Sequence, residues 1–140
     1  MNLNDFHFLV GQTIMYCQII EHDVKHIYAS MLSGDYFDNL DKVEKWTLGK
    51  AVLELKKLDF QTNDHYISAS DYNFLKQMSE KRNHWCHEAY LKFVYIDESM
   101  SSKEYITECK RLQKDNERLF SVFKALEKVR IQAQKDFNRM

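Results

Sequence analysis

The chain has 140 residues, 44% of them apolar, with only three glycines and no proline, and its 20 Lys and Arg nearly balance 21 Asp and Glu for a net charge of -1. A chain of this size holds one compact domain, so residues 1–140 are read as a single unit, and disordered, collagen-like and turn-rich β-sandwich architectures are disfavoured together. Near-neutral charge removes any global signal for nucleic acid or membrane, so such partners have to be read locally.

From Asn4 to about Leu32 the sequence places Phe6, Val10, Thr13, Cys17, Ile20, Val24, Ile27 and Met31 in strict alternation of four and three, one continuous seam on a long helix. A second stripe, Phe8, Met15, Ile19, His22 and His26, runs along the far side, apolar early and polar late, which suits a helix covered once by its own bundle and again by another chain. Ser33-Gly34-Asp35 ends it. Thr47 is the expected cap of a shorter helix through Leu48, Val52, Leu55 and Leu58, and the polar cluster from Asp59 to Ala69 predicts a loop. Ser70 then caps a predicted helix to about Tyr95, with Phe74, Leu75, Met78, Trp85, Ala89, Phe93 and Ile96 as its apolar side. After a break at Asp97-Glu98-Ser99, the Ser101-Ser102-Lys103-Glu104 run predicts a capped start for a last helix reaching almost to the end. Its seam is Ile106, Cys109, Leu112, Leu119, Phe123, Leu126, Val129, Ala133 and Phe137, interrupted by Asn116, which either fixes the pairing register or, as the favoured expectation, sits where the helix outruns its bundle. With no strand pattern of any length, the expectation is an all-α, antiparallel four- to five-helix bundle.

No basic residue precedes Lys25 and no apolar run exceeds four residues, so neither a signal peptide nor a membrane span is expected. Three cysteines, Cys17, Cys86 and Cys109, are an odd number without a CxxC pair, so small core hydrophobes in a reducing cytoplasm are expected rather than disulfides or a zinc ribbon. Charge is segregated: residues 1–70 hold six Lys and Arg against ten Asp and Glu, whereas 101–140 hold ten against six. On the last helix Lys103, Lys110, Arg111, Lys114 and Arg118 offer a polyanion some attraction, although such a spread is more commonly a solvated face.

The densest polar group is Arg82-Asn83-His84-Trp85-Cys86-His87-Glu88-Ala89-Tyr90. At about 100° per residue, Asn83, His87 and Tyr90 share one face and Arg82 lies about 140° from His87, towards the core. A guanidinium there needs a partner, for which Glu21, on the flank of the first seam, is the first choice and Asp23 the second. Arg with His suits phosphodiester cleavage, because imidazole exchanges protons near neutral pH and guanidinium neutralises charge developing on the phosphorus oxygens. For RNA the 2′-hydroxyl is the nucleophile, and the sequence carries no GxSxG or glycine-rich phosphate loop.

Arg82-Asn83-xxx-His87 on a helix of a small α bundle resembles the Arg-polar-x3-His signature of the HEPN superfamily, many members of which are ribonuclease toxins or RNA-processing domains. The resemblance implies a homodimer whose two Arg/His sets face one cleft, cutting RNA without metal or other cofactor to leave a cyclic phosphate. It implies Arg82 and His87 as catalytic residues and Asn83 as the polar residue that orients them; beside them the helical positions put Glu21, as the holder of Arg82, and Tyr90, on the His87 face, in support. It also suggests a toxin of a toxin–antitoxin or phage-defence system, with an antitoxin or nucleotidyltransferase as partner. Some family toxins carry a Tyr two positions past the His for that transferase to modify, where this chain has Ala89, its nearest Tyr being Tyr90. The alternative is a non-catalytic RNA- or protein-binding module of the same fold, with Arg82 structural and His87 packed on Trp85 or Tyr90. A third reading, a metal-dependent bundle enzyme, would use His22, His26 and His84, but the Glu-x-x-His pattern of bundle metal sites is missing, and surface or dimer-contact histidines are expected instead.

Overall fold

A computed structural model describes all residues from Met1 to Met140. Five α-helices follow in order: α1 (Leu3–Met31), α2 (Tyr36–Glu44), α3 (Leu48–Asp59), α4 (Ala69–His87) and α5 (Lys103–Asp136), with a 3-10 turn at Ser99–Ser101 before the last. The chain is an all-α helical bundle without strands, and no helix is long and apolar enough to cross a membrane.

The first seam is buried from Phe6 to Ile27, with Met31 half-buried, so the sequence periodicity maps directly onto the core. Contacts along α1 show its orientation. Asn116 Nδ2 donates to Gln12 and Thr13, each at 3.1 Å, and Arg139 Nη2 donates to the Leu32 carbonyl at 2.9 Å, so α1 and α5 run parallel. Asn116 therefore fixes the register of the two longest helices rather than marking where α5 outruns the bundle. Helix α4 is antiparallel to both: Arg82 meets Glu21 whereas Tyr90 meets His7, and Arg118 pairs with Asp71 whereas His84 pairs with Glu108.

The core has two parts. A larger cluster joins Ile20, Ile27, Leu55, Leu75, Met78 and Leu126, and a smaller one at the other end of α1 joins Phe6, Trp85, Phe93, Tyr105 and Leu112. The second explains a departure from the predicted elements. Helix α4 stops at His87, and Ala89 and Phe93, although spaced as if helical, reach the small cluster through consecutive turns. Ser68, rather than Ser70, caps α4, and within the Ser101-Ser102-Lys103-Glu104 run it is Ser102 that caps α5, accepting from the Tyr105 amide. Thr47 caps α3 as predicted.

Helix α2 has no strong apolar pattern. Gly34 turns the chain at φ +102°, and buried Asn39 donates to the carbonyls of Ala29, Leu32 and Ser33 at the end of α1. A polar side chain thus does the anchoring that an apolar one would do in a longer helix.

Candidate functional site

One stretch of α4 is held from two sides and leaves a third open. Towards α5, Asp115 accepts from Trp85 Nε1 and Lys81 Nζ, both at 2.9 Å, and Glu108 accepts from His84 Nε2 at 2.7 Å. Both carboxylates are buried, and Lys92 and Arg111 stand 3.6 and 3.9 Å from Glu108 to balance its charge. Towards α1, Arg82 Nη1 donates to Glu21 Oε2 at 2.8 Å, while Lys25 Nζ lies 3.3 Å from the other Glu21 oxygen. The remaining side chains of this stretch, Asn83, Cys86 and His87, are exposed.

Arg82 is not a buried orphan charge. Its side chain keeps 31% of its surface in solvent and Glu21 keeps 25%, so the pair is only partly buried, with the guanidinium tethered through Nη1. Asp23, the second candidate partner, lies against Arg130 at 3.0 Å and His22 at 3.2 Å instead. Beneath the tether, burial pushes the Cys17 thiol up to about 12, with the Arg82 charge pulling the other way. Cys17 and Cys109 are buried as expected, but Cys86 is exposed, because it shares the outward arc of α4 with Asn83.

Tyr90 lies beyond the helix end in the turn region and crosses to α1, its hydroxyl 2.6 Å from His7 Nδ1. Burial raises the Tyr90 pKa, so the phenol stays protonated in this contact. His87 is the last residue of α4 and is exposed, whereas the histidine packed on Trp85 is His84, with ring centroids 4.6 Å apart. The packing expected for His87 in a structural role is thus made by its neighbour.

His22 and His26 stack at 3.9 Å on α1, and His26 Nδ1 is hydrogen-bonded to the Tyr36 hydroxyl at 2.5 Å. His84 is committed to Glu108 on the α5 side, so the three histidines of the metal-dependent reading do not converge. On the last helix Arg118 pairs with Asp71 at 3.1 Å, while Lys103, Lys110 and Lys114 remain exposed.

His7, Lys25, Glu108 and Asp115 had no distinguishing signal in the sequence. Each is a polar residue on an amphipathic helix, and only the tertiary contact separates it from a solvated one. A concavity of about 600 Å³ at the opposite end of α1, lined by Asp59, His65, Tyr66 and Asp136, was also not foreseen. Its polar groups largely satisfy one another: Tyr66 donates to Asp136 at 2.5 Å, and Asp59 accepts from the Tyr66 and Ile67 amides and the Tyr72 hydroxyl.

Fold and site together define an all-α bundle with a tethered arginine and an exposed histidine on one helix. No protein-family model, curated protein or solved structure matches the chain.

Proposed function

We propose that this chain is a metal-independent endoribonuclease of the HEPN type, acting in the cytoplasm at a cleft between two copies, as the toxin of a toxin–antitoxin or phage-defence system. The observation that carries the reading is the division of labour within α4: Lys81, His84 and Trp85 are engaged by α5, Arg82 is oriented by Glu21 yet partly open, and Asn83 and His87 face solvent.

In the proposed reaction, His87 accepts the proton of the substrate 2′-hydroxyl as that oxygen attacks phosphorus. The 5′-oxygen departs and takes a proton from an imidazolium or from water, leaving a 2′,3′-cyclic phosphate. Arg82 stabilises the negative charge on the non-bridging oxygens at the transition state. Asn83 donates or accepts a hydrogen bond that positions the phosphate, and Glu21 sets the guanidinium direction. The test is cleavage of RNA in excess EDTA, with fragments examined for cyclic phosphate ends. A substrate carrying a single 2′-deoxynucleotide at the cut site should resist, and cutting of that substrate at the same rate would refute the chemistry.

The non-catalytic reading draws on the same Glu21 contact, since a carboxylate 2.8 Å away offsets much of the charge a phosphate would use. It expects RNA or protein binding without turnover.

A further inference from the structure

Cations gather on one arc of α5. At about 100° per residue, Lys103, Lys110, Arg111, Lys114, Arg118 and Lys128 fall within about 100° of one another around the helix. The other positions of that arc are small and uncharged, and every carboxylate of the segment lies outside it. Glu108 and Asp115 turn inward and are buried, whereas Glu104 and Glu117 are exposed, each about 20° beyond one edge. The four lysines are exposed and form no ion pair, because the α5 cations that do are Arg111 with Glu108, Arg118 with Asp71, Lys124 with Glu127 and Arg130 with Asp23. Arg111 and Arg118 keep 40% and 38% of their side-chain surface in solvent, positioned over the Trp85 and Phe74 rings at 5.8 and 5.0 Å from the centroids.

Helix α4 borders this arc. Asp71 meets Arg118, Lys81 meets Asp115 and His84 meets Glu108, so the end of α4 that carries His87 lies level with the first turns of α5. The rest of the arc, from Glu108 to Lys128, extends roughly 30 Å beyond it. Between the two helices a hollow of about 570 Å³ is lined in part by Gln77, Lys81, Lys114, Arg118 and Ser121. Asp115 and Glu117 also line it, and Asp115 is neutralised by Lys81 at 2.9 Å.

We propose that this acid-free arc of α5 is a docking track for single-stranded RNA, holding by its phosphates the stretch of chain that flanks the site on α4. Lys110, Lys114 and Arg118 recur about every 6 Å along the axis, and a positive track of this kind follows a single-strand backbone without reading its sequence. Thr107 and Ser121, two of the uncharged positions, are exposed and donate to phosphate and sugar oxygens. The arc carries no apolar side chain larger than Ala125, so it lacks the apolar face with which a basic helix enters a lipid surface. The inference rests on the function proposed above for the choice of RNA as the polyanion, and adds the surface that grips it away from the reacting bond.

The test is fluorescence anisotropy of a labelled 20-nucleotide single-stranded RNA, titrated with full-length His87→Ala protein so that the strand stays intact, at several salt concentrations. Contacts to four to six phosphates predict a slope of log affinity on log salt of about -3 to -4. Lys110→Gln with Lys114→Gln should weaken binding roughly 10-fold at 0.1 M salt and make that slope shallower by about 1.4, with the helical CD spectrum unchanged. Lys110→Arg with Lys114→Arg should bind like the parent. Lys42→Gln with Lys45→Gln, the same charge change at exposed positions of α2 and its end, should alter neither affinity nor slope. Absence of RNA binding, equal weakening by the two glutamine pairs, or displacement of the RNA by polyglutamate as readily as by unlabelled RNA would each overturn the proposal, the last reassigning the arc to an acidic protein. A chain that binds RNA through this arc but cuts none supports the track and removes the catalytic reading. A parent chain that cuts RNA at a rate unaffected by the Lys110 and Lys114 substitutions, at RNA concentrations below saturation, removes the track alone.

Discussion

Replacing Arg82 with alanine separates a residue kept for chemistry from one kept for stability. The pair consists of one 2.8 Å bond between side chains that are 31% and 25% exposed. Removing a partner from a fully buried ion pair costs about 3–5 kcal/mol, because a charge is stranded, whereas exposed pairs are worth about 0.2–1 kcal/mol. Here Glu21 retains Lys25 at 3.3 Å and contact with water, so no charge is stranded. The expected loss for Arg82→Ala is therefore about 1 kcal/mol, or about 3 °C in Tm for a domain of this size. Urea unfolding followed by far-UV CD and by tryptophan fluorescence, with Trp85 buried in the smaller cluster, measures it directly. A loss above about 3 kcal/mol, in the range of a stranded buried charge, would show that the guanidinium is a keystone of the α1–α4 contact. The case for Arg82 as a functional residue would then lose its physical basis.

Asp115→Ala should cost more than Arg82→Ala, about 3 kcal/mol in the same unfolding assay, because it leaves buried Trp85 Nε1 without its acceptor and Lys81 without its partner. Equal losses for the two variants would contradict this ranking. Asn39→Ala should destabilise by about 2 kcal/mol, since three carbonyls at the end of α1 lose their shared donor, and a loss within error of zero would show that water replaces it. Burial, followed by the neighbouring charge of His22, lowers the His26 pKa below its usual 6.5. The unfolded chain therefore takes up that proton first, so this contribution to stability is present above 6.5 and is lost as pH falls from there towards the folded value. His26→Gln should flatten that part of the stability–pH curve, and parallel curves would refute the assignment. Native protein should react with a thiol reagent only at Cys86, because Cys17 and Cys109 are buried, and rapid labelling of all three detected by mass spectrometry would contradict the packing.

Long periodic elements were legible in the sequence because repetition averages out exceptions. The seam from Phe6 to Ile27 crosses the whole bundle, and each of its residues meets the same kind of apolar surface. Helix α2 was missed because nine residues give too few turns for a pattern, and its buried anchors are Val43 and the polar Asn39. The end of α4 was misplaced because Ala89 and Phe93 keep helical spacing while the backbone leaves the helix, with Glu88 at φ -129°. Ile106 and Phe137, placed on the α5 seam by the same periodicity, are 48% and 39% exposed, because the buried positions at the start of α5 are Tyr105, Glu108 and Cys109 and because Phe137 already lies past the helix end. Within the site, the Arg82–Glu21 contact could be read from helical angles because both residues flank strong seams. Glu108 and Asp115 could not, since a buried carboxylate has the same periodic position as a solvated one until its partner is known. Asn116 belongs with them: its interruption of the seam was visible, but its two bonds to α1 were not.

The central claim is that His87 transfers the proton in RNA cleavage, and it is tested by the single-turnover cleavage rate of the parent chain and of His87→Ala, measured in EDTA on one RNA that the parent cuts. Loss of a proton-transfer group predicts a fall of about 10²–10⁴-fold with the helical CD spectrum and melting temperature unchanged, because His87 is exposed at the end of α4. A parent chain that cuts no RNA, or a His87→Ala variant that cuts at the parent rate, would contradict the account.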